Sequence, residues 1–330
     1  MNRLRSSGAR WNVGAWNVGA WGFAVGMATV GLVRLSRTQR HPVLIGLAGI
    51  GMRLLVPAYP LTVAALVKRK WWLAAAAAVL SAGNVVWLSR QFESGHQRCA
   101  PPRAVTLRLI SANMLFNNPD VGNLGRDLTA TDADVILLQE VSMENYAKLR
   151  MSGLFEAYPY QVWNDLRTIY SSAILSRLPI TNEKAIDVAG QRMGQAAVAT
   201  AAGTVRLINV HTMAPETTSK AAQWRAQLAG LAQLRDERFR AVIMAGDFNA
   251  TSDHAPFVQL TRSGLRDAFG AAGRGTGATW PQWKGPVMPL MRLDHVLVDD
   301  DVIVMSAQVQ ANRGSDHRRL AVDLALPVLE

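Results

Sequence analysis

The sequence predicts an α/β sandwich preceded by an N-terminal bundle of about three transmembrane helices. Three observations predict this arrangement. Long uncharged stretches are confined to the first 90 residues, strand-like and helix-like segments alternate after residue 104, and the excess positive charge lies at one end of the chain. The chain has 330 residues, of which 49% are hydrophobic, and this composition excludes an intrinsically disordered protein.

The net charge of +11 is distributed very unevenly. Residues 1–100 contain 12 Lys or Arg and a single acid, Glu93, whereas residues 101–330 contain 23 residues of each sign. A strongly basic chain would ordinarily favour nucleic acid or an anionic membrane surface as its partner. Because the excess charge accompanies the apolar stretches, a basic nucleic-acid-binding domain after residue 100 is disfavoured.

Three apolar stretches approach the length of about 20 residues that a helix needs to cross a bilayer. They predict transmembrane helices near 12–33, 43–67 and 71–88, the second of which contains Pro57 and Pro60. For the first stretch, a signal peptide and an unstructured extension are the alternatives. We favour a membrane helix because further apolar stretches follow it.

Positive residues at the ends of these stretches indicate the orientation in the membrane. Six of them, in the N-terminal tail and at 68–70, would share one side, and four, at 34–40 and 90, would share the other. The dense cluster at 68–70 favours the cytoplasm for the first side. We therefore expect a multi-pass protein of the cell membrane whose C-terminal domain lies on the extracytoplasmic side.

A polar segment separates the apolar region from the rest of the chain. Residues 91–103 end in Pro101-Pro102 and predict a linker between a transmembrane region over 1–90 and a domain over 104–330. The single cysteine, Cys99, excludes a disulfide framework and a cysteine-based zinc site.

The domain over 104–330 alternates between two kinds of segment. Alternating or continuous apolar runs predict strands, and apolar residues at helical spacing predict a long helix over 218–238. This mixture predicts sheets inside and helices outside. The predicted strands are 105–112, 135–138, 170–175, 205–210, 241–245, 295–298 and 320–324, and the shorter helices are 121–130 and 143–151.

Polar side chains cluster at the ends of these predicted strands. Asp316 and His317 precede the last strand, and Asp294 lies at the start of another. The residues that follow strands are Asn113, Glu140, His211, Asp247 and Asn249. Strand ends are where α/β proteins gather site residues.

The residue types in this set indicate which kinds of reaction the site could support. Carboxylates and amides suit a hard cation such as Mg²⁺, and histidines bind phosphate or transfer protons. The sequence contains no HExxH, GxSxG or phosphate-binding GxxxxGK[ST] motif. These residue types instead fit metal-assisted hydrolysis of a phosphate ester.

Each of these residues also has a plain structural explanation. Glu140 could cap the following helix, Asn113 could belong to a turn, and Asp247 with Asn249 could form a turn after a strand. Asp294 could pair with Arg292. It is their joint occurrence that indicates a functional site.

Seven segments resemble, in order, the motifs of the endonuclease/exonuclease/phosphatase superfamily, whose fold is shared by DNase I, exonuclease III-type AP endonucleases, inositol polyphosphate 5-phosphatases and neutral sphingomyelinases. The resemblance covers about residues 105–327 and implies a four-layered, DNase I-like α/β sandwich. The segments are Ile110–Asn113, Leu137–Val141, Ser172–Pro179, Asn209–Thr212, Ala245–Ala250, Arg292–Val296 and Gly314–Arg318.

The resemblance implies a site for Mg²⁺ or Mn²⁺. Glu140 would be the principal ligand, Asn113 would hold the metal together with it, and Asp316 would assist. One departure concerns the residue before Asn113, where members that cleave DNA often have Trp and this chain has Ala112. This difference weakens the resemblance to AP endonucleases.

The resemblance also implies the catalytic roles. Asp247 would orient or activate the nucleophile, and Asn249 and His211 would contact the phosphate. Asp294 would buttress the site, and His317 would polarise the scissile phosphate or take part in proton transfer.

Two further residues are candidates for substrate binding. Arg292 could reach a phosphate or pair with a carboxylate. Trp280, in a glycine-rich loop, could form a rim that faces the substrate or could simply pack within the loop.

We therefore expect a membrane-anchored phosphoesterase that acts on a phosphodiester or a phosphomonoester. Its substrate could be nucleic acid, phospholipid or a small phosphoester, the lipid bilayer is its second partner, and no protein partner can be inferred. The alternative is a non-catalytic membrane scaffold that has kept the fold. That alternative predicts the loss of a metal ligand, and all the ligands are present in the sequence.

Overall fold

A computed structural model of the chain describes residues 8–36, 39–92, 100–236, 238–282 and 288–328. The chain divides into an N-terminal unit, Met1–Gln39 with Val43–Arg90, and a C-terminal unit, Arg40–Pro42 with Gln91–Glu330. Residues 93–99 of the predicted linker lie outside the described residues.

The N-terminal unit is helical. Its helices are α1 Gly8–Leu35, α2 Pro42–Leu54, α3 Ala58–Val67 and α4 Trp71–Ser89. Two helical segments of the described chain, Trp16–Leu35 and Trp71–Ser89, are long and apolar enough to cross a membrane. A third crossing exists only if α2 and α3, which meet at a bend of 53°, form one broken span.

The predicted helix over 43–67 is interrupted between Leu54 and Ala58. Pro57 has no N–H and its ring clashes with the preceding turn, so the helical hydrogen bonds cannot continue through it. The N–H of Val56 donates to the carbonyl of Arg53 at 3.2 Å.

A buried side chain of α4 stabilises this break. The amide of Asn84 donates to the carbonyl oxygen of Met52 at 2.8 Å, and its oxygen accepts from the hydroxyl of Tyr59 at 2.9 Å. Asn84 is buried and both ends of its amide are bonded. Polar groups at a buried helix break are costly without such partners.

The C-terminal unit contains thirteen described strands and six described helices. In chain order the strands are β1 Ala104–Asn113, β2 Val135–Gln139, β3 Tyr160–Asn164, β4 Ser172–Ser176, β5 Ile180–Glu183, β6 Ile186–Val188, β7 Gln191–Thr200, β8 Gly203–His211, β9 Ala241–Asp247, β10 Leu265–Asp267, β11 Asp294–Asp299, β12 Ile303–Gln310 and β13 Arg319–Pro327. The helices are α5 Val121–Thr129, α6 Met143–Arg150, α7 Leu154–Ala157, α8 Thr218–Leu231, α9 Ala255–Thr261 and α10 Ala268–Ala272.

These strands form two mixed sheets. The first has the order β12-β13-β1-β2-β4-β3, and the second has the order β10-β11-β9-β8-β7-β5, with β6 paired to β7. Each sheet contains one parallel pair, β1 with β2 and β8 with β9. The carboxyl ends of a parallel pair lie at the same edge of a sheet, so each pair brings two strand ends together.

The alternation of side chains along the strands determines which residues lie between the sheets. Leu109 and Leu137 of the first sheet belong to one core cluster with Leu207 and Ile243 of the second. The alternate residues of β1 and β2 pack on the opposite face with α5, α6 and α7. Because period-two alternation buries both faces of the strands, the unit is a layered α/β sandwich.

One polar contact crosses the apolar core between the sheets. Gln139 at the end of β2 donates to Asn209 Oδ1 of β8 at 2.7 Å. The Asn209 amide donates to the backbone carbonyls of Leu138 and Ala173 at 2.9 and 2.8 Å. Both side chains are fully buried, so this cross-sheet bridge fixes the two sheets relative to each other near their polar end.

The long predicted helix over 218–238 ends earlier, at Leu231. The N–H groups of Gln233 and Leu234 bond three residues back, to Gly230 and Leu231, which is the geometry of a turn. Leu234 had extended the apolar stripe in the sequence, but it lies beyond the helix.

Glycine is required at the strand position just before Asp247. Gly246 has a φ of 147°, and a Cβ built on it would lie 1.9 Å from the carbonyl oxygen of Val210. We predict that Gly246→Ala lowers the free energy of unfolding of the C-terminal unit by about 2 kcal/mol or more, because the added atom collides with backbone and the φ is unfavourable. Urea unfolding followed by tryptophan fluorescence measures this change.

Gly122→Ala is the matched control. Gly122 lies in α5 with no atom within 4 Å of a built Cβ, so alanine there should stabilise the protein by about 0.5 kcal/mol through helix propensity. Equal stabilities for the two variants would contradict this account of Gly246.

Candidate active site

The polar residues predicted from the strand ends meet at one edge of the sandwich. In the registers of the sheets, Asn113 lies beside Gln139, and both His211 and Asp294 lie beside Asp247. The cross-sheet bridge precedes Glu140 by one residue and His211 by two. The two sheets therefore present their polar ends to a common site.

Asn113 connects two carboxylates of this site. Its amide donates to Glu140 Oε1 at 2.8 Å and to Asp247 Oδ2 at 3.2 Å. Its oxygen accepts from the N–H of Leu115 at 3.0 Å, which fixes the orientation of the amide. Asn113 thus acts in this structure as a donor that spans the gap between the sheets.

Glu140 is the more accessible of these carboxylates. Its side chain is 19% exposed, whereas that of Asp247 is 3% exposed. Glu140 Oε2 accepts from the N–H of Phe116 at 3.0 Å. The backbone of Glu140 has a φ of 60°, uncommon for a residue other than glycine, and its N–H donates to Ser171 O at 2.9 Å. This conformation carries the side chain from the end of β2 into the site.

His211 lies between the same two carboxylates. Its Nε2 is 3.8 Å from Glu140 Oε1 and 3.9 Å from Asp247 Oδ2. Burial lowers the pKa of His211. A neutral imidazole at this position is able to donate or accept a hydrogen bond from a substrate.

His317 forms a hydrogen-bonded ion pair within the site. Its Nδ1 is 2.9 Å from Asp294 Oδ2, and its Nε2 is 3.7 Å from Asp247 Oδ2. Burial alone would lower the pKa of His317, but the Asp294 and Asp247 carboxylates outweigh burial and raise the pKa to about 10. His317 is therefore an imidazolium at neutral pH.

The three buried side chains Asp247, Asp294 and His317 place ligand atoms within 4.8 Å of one another and form a group that could hold a metal ion. Burial raises the pKa of Asp247 to about 6, and the nearby His317 opposes that rise. A buried carboxylate with a raised pKa is typical of a functional site.

Asn249 follows Asp247 in a tight turn. Its N–H donates to Asp247 Oδ1 at 2.8 Å, and its side-chain amide donates to the carbonyl of Thr212 at 3.0 Å. The φ of Asn249 is 46°, a left-handed conformation that asparagine tolerates better than most residues. The turn fixes the carboxylate of Asp247.

Asp316 and Trp280 contact each other beside this cluster. Trp280 Nε1 donates to Asp316 Oδ2 at 3.1 Å. The N–H of Gln282 donates to the carbonyl of Asp316 at 2.5 Å. Neither side chain belongs to the hydrogen-bonded group formed by Asn113, Glu140 and Asp247.

Arg292 makes its ion pair elsewhere. Its guanidinium lies 2.8 Å from Asp267 Oδ2 and over the ring of Phe269. Burial would raise the pKa of Asp267, but Arg292 and His295 together outweigh burial and lower it to about 2. The pairing of Asp294 with Arg292, considered from the sequence, is wrong, because Asp294 pairs with His317.

The sequence profile of the Endonuclease/Exonuclease/phosphatase family matches residues 110–317. The chain belongs to this family. Its members are metal-dependent phosphoesterases and nucleases, and the superfamily resemblance read from the seven segments is confirmed.

Solved structures show the same fold. An endonuclease/exonuclease/phosphatase from Bacteroides vulgatus has 17% identity and a TM-score of 0.56, over 67% of this chain and 99% of that one. The corresponding protein from Beutenbergia cavernae has 17% identity and a TM-score of 0.55, over 67% and 72%. Truncated TDP2 from Caenorhabditis elegans has 18% identity and a TM-score of 0.51, over 66% and 97%.

At these identities the likeness concerns the fold alone, and it confirms the predicted four-layered, DNase I-like α/β sandwich. No curated protein matches the sequence.

Several positioning residues of this family member escape sequence reasoning. Asn312 and Ser315 both donate to the backbone carbonyl of Asn113 at 2.7 Å. Thr279 accepts from the N–H of Leu293 at 3.0 Å and that of Asp294 at 3.3 Å. Ser315 had a signal, since it precedes the Asp316-His317 pair, whereas Asn312 lies in a segment without any motif.

The charge of His317 generates a test by NMR. We predict that in the metal-free protein the His317 ring titrates near pH 10 and that Asp294→Asn lowers its pKa, because the closest compensating carboxylate is lost. The pKa of His317 is higher in the folded state than in the unfolded chain, so protonation of His317 stabilises the folded state. This stabilisation is complete below about pH 6.5. That contribution is lost as the pH rises to about 10, so the stability difference between the two proteins should shrink over this range.

Asp300→Asn, at an exposed position, is the control and should leave the His317 titration unchanged. A wild-type His317 that titrates near pH 6.5 would contradict the ion pair.

Proposed function

We propose that the C-terminal unit hydrolyses phosphate esters through attack by an activated water, assisted by Mg²⁺ or Mn²⁺. The observation that carries this proposal is the meeting of Glu140, Asp247 and the His317–Asp294 pair at one end of the sandwich. Three carboxylates and one imidazolium within a few ångströms match the needs of phosphoryl transfer. That reaction requires a metal site, a proton acceptor and positive charge opposite the phosphate.

The side chains present fit a hard divalent cation. Mg²⁺ prefers oxygen ligands and keeps several waters, which suits the partly exposed carboxylate of Glu140. A protonated His317 has no lone pair to offer a metal, so in our proposal it balances Asp294 and Asp247 instead. Glu140 is then the principal ligand, Asn113 orients its carboxylate, and Asp316 assists. When bound, the ion polarises the phosphate and favours ionisation of water.

The remaining residues accept the proton of the attacking water and stabilise negative charge on the phosphate. Asp247 is held by the N–H of Asn249 and has a pKa near 6, so it orients the attacking water and accepts its proton. His317, with both ring nitrogens protonated, stabilises negative charge on the phosphoryl oxygens. His211 and Asn249 add neutral hydrogen bonds, and such preorganised donors act strongly in a buried site.

A non-catalytic scaffold finds no support in these residues. It would be expected to have lost a carboxylate or the histidine, yet Glu140, Asp247 and His317 are all present and mutually placed. The substrate itself stays open among nucleic acid, phospholipid and small phosphoesters, and the balanced charge of residues 101–330 does not favour nucleic acid.

We further propose that the N-terminal unit anchors the protein in the cell membrane as a multi-pass segment. Large apolar side chains point outward from its helices, among them Phe23, Leu32, Val63, Trp72 and Val79. Such apolar surface is rare on soluble proteins and is expected next to lipid. The charge distribution supports an extracytoplasmic catalytic domain.

Glu140→Gln tests the catalytic proposal. We expect kcat/KM on bis(p-nitrophenyl) phosphate with Mg²⁺ or Mn²⁺ to fall roughly 10³-fold or more, because the amide cannot supply the negative charge that holds the ion. The same protein should be assayed on DNA, RNA, phospholipid, sphingomyelin and inositol phosphates to identify the substrate.

Glu183→Gln serves as the matched control, since Glu183 is an exposed residue of β5. Its activity should equal that of the wild type. Retention of full activity by Glu140→Gln would refute the assignment.

The single cysteine offers a test of membrane topology. Cys99 lies between the apolar region and the catalytic unit, and no other cysteine competes for a label. In cells stripped of their outer layers, we predict that a membrane-impermeant maleimide labels Cys99 and that the protein resists extraction from membranes by carbonate. Labelling only after the membrane is permeabilised would reverse the orientation, and Cys99→Ser controls for unspecific reaction.

A further inference from the structure

A cavity of about 540 Å³ is lined by residues that neighbour the candidate active site in the chain, and we call it the arginine cavity. None of the residues assigned above to metal binding or catalysis lines it. Its size falls within the range of about 300–1,000 Å³ that is common for small-molecule sites. The lining residues that matter here are Arg274, Thr276, Gly277, Ala278, Gln308 and Arg318.

The arginine cavity is one residue away from the catalytic cluster at two points. Arg318 follows His317 directly, and its N–H donates to the carbonyl of Thr279 at 2.8 Å. Ala278, which lines the cavity, precedes Thr279, whose hydroxyl accepts from the N–H of Asp294. The chain therefore passes directly from the lining of the cavity to the catalytic cluster at residues 278–279 and 317–318.

The positive charge of this cavity comes from Arg274 and Arg318. No acidic residue occurs among the described residues that line it. Within the described part of the chain, the guanidinium groups of Arg274 and Arg318 have neither a hydrogen bond nor an ion pair. Arg292 shows the contrast, since its guanidinium pairs with Asp267. Arg318 is half-buried, so part of its hydration is already lost without a protein partner.

The loop that carries Arg274 packs closely on an aromatic ring. It reads Gly273-Arg274-Gly275-Thr276-Gly277. A Cβ on Gly273 would lie 2.6 Å from the ring of Phe269, and a Cβ on Gly277 would lie 2.3 Å from it. The backbone therefore lies directly on this ring, where larger residues do not fit. This close contact holds Arg274 and Thr276 at the wall of the cavity.

We propose that the arginine cavity binds a phosphate group in addition to the one that is hydrolysed. Two guanidinium groups with a hydroxyl donor suit a phosphate, because planar guanidinium groups bind its oxygens with paired hydrogen bonds. The group is either a second phosphate of the substrate or free phosphate. The first case rests on the proposed function, because it needs the neighbouring site to hold the scissile ester.

Chemical modification of arginine tests binding without any need for activity. The full chain in detergent is treated with phenylglyoxal, with and without inorganic phosphate, and each arginine is followed by mass spectrometry. We expect phosphate to slow modification of Arg274 and Arg318 several-fold but not that of Arg150, an exposed residue of α6. Equal rates with and without phosphate at Arg274 and Arg318 would overturn the proposal.

A pair of substrates distinguishes the two sources of phosphate. A dinucleotide with a terminal phosphate is compared with the same dinucleotide lacking it, in the wild type, Arg274→Gln and Arg150→Gln. If the substrate carries the second phosphate, Arg274→Gln should raise KM for the phosphorylated compound about tenfold more than for the other. Protection from phenylglyoxal without this difference in KM indicates free phosphate as the ligand.

The two proposals fail in different ways. Hydrolysis of neither dinucleotide, nor of any other phosphoester, refutes the proposed function and leaves the protection experiment valid. Normal hydrolysis without protection of Arg274 and Arg318 refutes the cavity alone.

Discussion

The bridge between Gln139 and Asn209 is the contact on which the geometry of the site depends. Each sheet contributes only part of the polar site. The distance from Glu140 to His211 therefore depends on how the two sheets pack against each other. Apolar packing between sheets is not directional, and a slip along the strands would cost little of it. Asn209 bonds Gln139 and two backbone carbonyls of the first sheet, and such a slip would break these bonds. The bridge therefore fixes the relative position of the two sheets, and with it the arrangement of the charged groups in the site.

The charges at that edge are balanced in a way that explains their burial. Asp247 and Asp294 are almost fully enclosed, and two buried carboxylates repel one another unless a cation or a proton joins them. His317 supplies that charge from within the chain. Arg292 pairs with Asp267, so Asp267 and Asp294 are stabilised by separate cations. The partly exposed carboxylate, Glu140, is left with only neutral donors and is the acid that an external cation would satisfy.

Much of this site was visible in the sequence because strand ends carry a local signal. Buried apolar runs followed by Asn, Glu, His or Asp indicate both the strand and the polar edge, and β1, β2, β8 and β9 were predicted within two residues. Asn312 and Thr279 were not predicted, since their role depends on contacts with residues far away in the chain. The strand β7 was not predicted either, because glutamine, arginine and glycine interrupt its apolar residues and leave no apolar run or regular alternation. The break in the helix over 43–67 was signalled by Pro57, whereas the Asn84 contact that stabilises it was not.

The pairing of β1 with β13 has a consequence for synthesis on the ribosome. β1 is the first strand of the C-terminal unit to be synthesised, and it lies between β2 and β13. Its partner β13 is synthesised some 200 residues later. Until then β1 exposes an unpaired strand edge of the kind that promotes association between chains. If the N-terminal unit inserts into a membrane first, each nascent chain is tethered and separated from its neighbours during this interval. The anchor would then protect the enzyme while it folds as well as determine where it works.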